Sequence, residues 1–206
     1  MKKRYYLLKI TLLDVKPEIW REFVVPSDIT LDRLHDVIQI IMGWHDFHIH
    51  EFIFGKNRFS EFIDMEEQED ILFSPEFRLN EFIKRKGSKF TYLYDFGDLW
   101  KHSVVVKDSN YKRESDLEVY CIDGERACPP EDIGGLDGYN RLIETINNPA
   151  SEDFEKIMNL IEKGYDSESY DVKIVNWLLM KYYLCSRDRF LDWSEDFERD
   201  YEGFEE

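Results

Sequence analysis

Basic side chains are scarce in this chain: 27 lysines and arginines stand against 44 aspartates and glutamates in 206 residues, a formal net charge of −17. Non-specific nucleic-acid binding needs cations that neutralise phosphates and release counterions, so this field opposes it. Long apolar runs are missing as well. The longest stretch without Asp, Glu, Lys or Arg is Val37 to His45, nine residues, against the roughly 20 that a membrane-spanning helix needs. With neither a span nor the apolar core of a secretory signal, a cytoplasmic location and no membrane partner are expected. Cysteine is sparse. Cys121, Cys128 and Cys185 are an odd number in a chain without an export signal, so reduced thiols are expected and a disulfide scaffold is excluded. What is abundant is apolar and aromatic material, 43% and 16% of residues, which excludes disorder of the whole chain. The length fits one domain.

Periodicity supplies the elements. Tyr5 to Asp14 alternates as a strand, with Tyr6, Leu8, Ile10 and Leu12 on one face. Lys16-Pro17 breaks it, and Ile19 to Val25 reads as the partner strand of an antiparallel hairpin. From Thr30, a candidate N-cap, the period becomes helical: Leu31, Leu34, Val37, Ile38, Ile41 and Met42 form one stripe, and Gly43 suits the left-handed position after the helix. Trp44 to Phe54 runs from a turn into a strand that places His48, His50, Phe52 and Phe54 on one side. Glu61 to Glu81 carries eight acidic residues and one arginine, the density of a solvated loop. Leu79 to Lys86 reads as a short helix ended by Gly87, which would make Lys84, Arg85, Lys86 and Lys89 cations at a helix C-terminus. The same cluster, or Lys2, Lys3 and Arg4, would be the local basic patch that a DNA role requires.

Lys89 to Tyr94 and Trp100 to Lys107 read as a hairpin about Gly97 that sets His102 across from Tyr92. Cys121 to Gly138 reads as a loop punctuated by Pro and Gly. Helices are expected over Tyr139 to Asn147, Glu152 to Lys163 and Val172 to Leu184. The expected division is an α+β domain over 1–185, with a mixed, mainly antiparallel sheet packed against helices, and an acidic, aromatic-containing tail over 186–206.

All five histidines lie between residues 35 and 102. Neutral imidazole is the commonest metal ligand and the side chain best suited to proton transfer near pH 7. His48, His50 and His102 with Asp98, and with Asp46 and Asp95 as further oxygen ligands, would make a mixed nitrogen and oxygen set that suits a transition metal such as zinc, manganese or iron. On an apolar face the same histidines serve equally as packed, hydrogen-bonded core residues, and Asp95 and Asp98 as turn residues bonded to their own backbone. Trp44, His45, His48 and His50 on one loop, with Asp95, Asp98, Trp100 and His102 on another, form a candidate binding surface. Cys121 and Cys128 are separated by six residues, wider than the pairs of structural zinc sites. They read as a thiol pair that organises the loop or, with a third group, a metal site. Gly134-Gly135-Leu136-Asp137-Gly138 opens a helix among acidic residues that would repel a phosphate. Asp95-Phe96-Gly97 lacks every companion of the kinase triplet, and a Gly-x-Ser-x-Gly elbow is absent.

Taken together, several segments resemble one family, the plasmid pRiA4b open-reading-frame-three-like proteins. They are Pro17-Glu18-Ile19-Trp20-Arg21, Leu34 to Gln39, Met42-Gly43-Trp44 with His48 and Glu51-Phe52, Tyr94 to His102, Cys121 to Gly135 with Gly138-Tyr139, and Tyr165 to Leu178. The order is the family's. Two departures are Ile133, where many relatives carry a further cysteine, and the acidic extension after Cys185. The resemblance implies an α+β fold and a prokaryotic protein encoded on plasmids, near mobile elements and on chromosomes, with no defined reaction. Two readings follow: a soluble binding or accessory module of unknown function with a protein or small-molecule partner, or a metal-dependent hydrolase or nuclease using the His/Asp cluster.

Overall fold

The computed structural model of the chain describes residues 3–61, 70–151, 154–159, 161 and 163–185. Its centre is β1 (Tyr5–Leu12), which pairs antiparallel with β2 (Trp20–Pro26) on one side and β7 (Trp100–Asp108) on the other. Beyond β7 come β6 (Lys89–Tyr94), β3 (His50–Phe54), β4 (Asn57–Ser60) and β5 (Ile71–Phe73); beyond β2 comes β8 (Tyr120–Glu125). The eight strands run in the order β5-β4-β3-β6-β7-β1-β2-β8, and only β4 and β5 are parallel. The fold is therefore the expected α+β arrangement. The alternation in β1 is realised: Tyr6, Leu8, Ile10 and Leu12 are buried, while Leu7, Lys9 and Thr11 stay half-buried on the opposite face. Tyr92 stands opposite His102, as the Gly97 hairpin predicts.

The buried face meets α1 (Leu31–Met42), whose Leu31, Leu34, Val37, Ile38 and Ile41 are fully buried and share one core with the inward strand residues. Each such side chain contributes about 1.5–3 kcal/mol on leaving water. Gly43 ends the helix at φ +93°, and its N–H returns to the Gln39 carbonyl. Thr30 stands in the N-cap position, but its side chain makes no cap bond; a strand-like bridge to Arg78 holds it instead. Also on this side are α2 (Leu79–Phe82), α3 (Gly135–Asn147), α4 (Phe154–Met158) and α5 (Val172–Cys185). Among the described residues no helix is long and apolar enough to cross a membrane.

Four sequence expectations change. The segment after Tyr120 is not all loop: β8 forms an edge strand on β2, with a register shift at Glu22/Phe23 that leaves Ile122 as the extra residue. The helix before Asn148 starts at Gly135, four residues early, because Gly138 lets the first turn close on the Ile133 carbonyl. The α2 helix stops at Phe82, so Lys84, Arg85 and Lys86 lie beyond it and are not in its last turn. The described helix after Ser151 is only Phe154–Met158. Within the acidic stretch β5 starts at Ile71, while 62–69 and the tail 186–206 lie outside the described residues.

Gly138 and Gly43 separate two kinds of constraint. A Cβ on Gly138 would stand 1.8 Å from the Ile133 oxygen, whereas one on Gly43 meets nothing within 4 Å. Gly138→Ala should cost about 3 kcal/mol or more, among the large effects of single changes. Gly43→Ala should cost only the left-handed backbone, about 1–2 kcal/mol. Urea unfolding of the two variants checks this, and the reverse ranking would contradict it.

Candidate functional site

The loop leaving α1 is fixed at every residue. The Trp44 ring stacks on Tyr94 at 4.8 Å, meets His102 edge-on at 5.2 Å, and donates from Nε1 to the Pro129 carbonyl at 3.0 Å. Tyr94 donates its hydroxyl proton to Glu131 and accepts from the Phe47 N–H; the His45 N–H donates to the same Glu131 carboxylate. Burial, then the Glu131 charge, holds the Tyr94 hydroxyl far above its usual range. Asp46 adopts φ +59°, which swings its carboxylate back to His35 Nε2 at 2.7 Å.

Beneath this loop lies a polar chain that ends at the exposed Asp46. His35 Nδ1 is 2.8 Å from the Tyr92 hydroxyl, which accepts from Gln39 Nε2 at 2.9 Å. The His35 ring stacks on His50 at 3.5 Å with 9° between planes. With Gln39 donating to the Tyr92 hydroxyl, that hydroxyl lies against His35 Nδ1, while His35 Nε2 faces Asp46. His35 and Tyr92 are buried, and the chain they form holds the Asp46 loop, with the Asp46 side chain 48% exposed at its outer end. His35 and Gln39 belong to the Leu34 to Gln39 segment that carries the family resemblance but are not among the site residues expected from sequence. The available signal was two polar residues four apart beside the apolar stripe of α1.

The candidate residues divide into two groups. His50, Trp100 and His102 face the helix-covered side of the sheet and are buried. His102 is pushed down to about 3, mainly by desolvation, and is neutral at pH 7. Asp98 accepts the Gly134 N–H at 3.2 Å, joining the Gly97 hairpin to the start of α3. His48 stays half-buried at the surface, with Nε2 3.6 Å from Asp95 Oδ2 and 3.2 Å from Asp132 Oδ1. Among the described residues, the groups compact enough for one ion are His48 with Asp95 and Asp132, and His35 with Asp36 and Asp46. The structure thus gathers His48 with Asp95 and Asp132, not with His50, His102 and Asp98.

Cys121 and Cys128 are free and buried. Burial raises the Cys121 thiol and pushes Cys128 up to about 11, so both are protonated at neutral pH. Near both lies Arg21, part of the Pro17 to Arg21 segment of the resemblance and not among the site residues expected from sequence. Arg21, fully buried, donates to the carbonyls of Ile41, Trp20, Glu125 and Arg126 at 2.7–2.8 Å and lies 3.7 Å over the Tyr170 ring.

Arg21 floors a cavity of about 550 Å³, walled by Trp44, Phe47, Pro129, Tyr170 and Leu178 among others. Its size is that of small-molecule sites. Glu131, Asp132, Asp166 and Asp171 also line it. Of the surface expected from sequence, Trp44 and His45 line this cavity; Asp95, Asp98, Trp100 and His102 do not. The signal for the missing wall was the Pro129-Pro130 turn, read as loop punctuation.

The profile of the family described as Plasmid pRiA4b ORF-3-like protein matches residues 4–174. The uncharacterized protein y4hQ of Sinorhizobium fredii (strain NBRC 101917 / NGR234) is 33% identical over 171 residues, covering 82% of this chain and 87% of that protein. Similar in structure is the crystal structure of MM3350 from Methanosarcina mazei Go1, a protein of unknown function. It has a TM-score of 0.76 and 28% identity, and the match covers 84% of this chain and 98% of that one.

The buried His102 ring gives a signed pH dependence. An unfolded histidine takes a proton near pH 6.5, the folded one near 3. Its contribution is therefore complete above about pH 6.5 and is lost as the pH falls, at up to about 1.4 kcal/mol per unit. By pH 5 this loss amounts to about 2 kcal/mol. Urea unfolding should show that His102→Gln flattens the pH profile by that amount; parallel profiles would contradict it.

Proposed function

We propose that this chain, which belongs to the plasmid pRiA4b ORF-3-like family, is a binding module whose cleft takes a small organic cation with an apolar body. Neither similar protein has a stated function, and the reading is carried by one observation. The cleft has apolar and aromatic walls, and apart from Arg21 the lysine, arginine, aspartate and glutamate side chains that line it are all acidic. The guanidinium of Arg21 is spent on four backbone carbonyls. Glu131, Asp166 and Asp171 supply negative charge around Trp44, Phe47 and Tyr170, whose ring faces also attract cations. A carboxylate or phosphate would enter against that field with no free cation to meet it. The free, buried thiols support a cytoplasmic setting.

A matched pair of probes tests the charge rule. Calorimetric titration with 4-phenylbutylammonium should give saturable one-to-one binding with a Kd below about 1 mM, while 5-phenylpentanoate should not bind. Leu178 is 40% exposed on the cavity wall, so Leu178→Arg should leave the fold intact and weaken the amine at least about tenfold, a loss of about 1.4 kcal/mol. Equal affinity for both probes, no binding of either, or full affinity in Leu178→Arg would refute the reading.

A further inference from the structure

We propose that His48, Asp95 and Asp132 form a three-ligand site for a divalent transition-metal ion at the rim of the cleft. Zinc ligands lie about 2.0–2.2 Å from the ion, so at tetrahedral angles they stand about 3.3–3.5 Å from one another. The His48 Nε2 distances of 3.2 Å to Asp132 Oδ1 and 3.6 Å to Asp95 Oδ2 bracket that separation, and all three ligand atoms lie within 4.8 Å of one another. One nitrogen and two carboxylate oxygens are a donor set for zinc, manganese or iron.

The protein aims these atoms. Asp95 is more than nine-tenths buried at 6% exposure, and its Oδ1 accepts the N–H groups of Gly97 at 2.8 Å and Asp98 at 3.2 Å. Those bonds fix the carboxylate and turn Oδ2 toward His48, as outer hydrogen bonds do for metal ligands. His48 Nε2 is sheltered from solvent and makes no hydrogen bond, although two carboxylates stand beside it. A cation at the centre of these three atoms would take an electron pair from the ring nitrogen and face two carboxylate charges. Asp95 and Asp132 both hold φ +57°, a backbone state that other interactions must sustain. Asp132 has a side chain 74% exposed, which gives an ion a path in and leaves coordination positions facing solvent.

The competing state is a protonated His48 paired with the two aspartates. The site does not depend on the amine-binding cleft: the two carboxylates balance the ion, and Glu131, Asp166 and Asp171 remain for the cleft.

Zinc alone, titrated into the full chain after chelator treatment and without a histidine tag, is the test. One equivalent should bind with a Kd in the micromolar range. Asp132→Asn and His48→Gln, both at surface-reaching positions, should each weaken it at least about tenfold, and Asp98→Asn should leave it unchanged. The His48 ring resonances should shift on zinc addition. No uptake at about 1 mM zinc, uptake unaltered in the two ligand variants, or a His48 ring that titrates as an ion-paired imidazolium and ignores zinc would each overturn the site. Amine binding is measured without metal, so its failure and the failure of this site are read separately.

Discussion

A buried guanidinium without a carboxylate opposite it, among the described residues, organises this molecule. Arg21 on β2 spends its donors on the carbonyls of Ile41 at the end of α1, Trp20 beside it, and Glu125 and Arg126 at the end of β8. Removing that charge from water costs several kcal/mol, and charge-assisted hydrogen bonds worth about 1.5–3 kcal/mol each offset it. The Ile41 carbonyl belongs to a helix C-terminus, where the macrodipole presents partial negative charge. The Tyr170 ring covers the other side at 3.7 Å, and a Cβ on Gly124 would strike both Tyr170 and Arg21, at 2.5 and 2.7 Å. Four segments distant in sequence therefore meet at one planar cation, and the cleft lies where they meet.

This arrangement explains how polar chemistry is distributed. Strand alternation turns His50 and His102 inward, where desolvation keeps His102 neutral and where His35 and Gln39 hydrogen-bond the Tyr92 hydroxyl. His48 escapes because Asp46, in the left-handed region, interrupts the alternation before β3 begins at His50. The surface-facing imidazole then meets two aspartates from separate turns, the Gly97 hairpin and the approach to α3. The family match ends at residue 174, so the floor and the Trp44 wall of the cleft fall within the shared segment, while Val175 and Leu178 on α5 fall beyond it.

Much of the fold was legible because local patterns and global packing agree. The period of two in β1, the stripe of α1 ended by Gly43, and the Tyr92–His102 register each follow from residues near one another in the chain. β8 was not legible, since an edge strand containing Asp123-Gly124 carries turn chemistry in its sequence. The site was legible in part. Trp44 and His45 line the cleft, and His48 and Asp95 do lie together, but alternation alone gave no reason to separate His48 from His50. Arg21, Tyr170, Glu131 and Asp132 act through contacts between remote segments, which no local period encodes.

The most direct measurement is the unfolding free energy of Arg21→Met, with amide exchange at Glu125 to Cys128. Methionine fills much of the same volume but leaves the carbonyls of Ile41, Glu125 and Arg126 without their donor, so a loss of at least about 3 kcal/mol and faster exchange across that loop are predicted. Stability within about 0.5 kcal/mol of the parent, with exchange unchanged, would contradict the account.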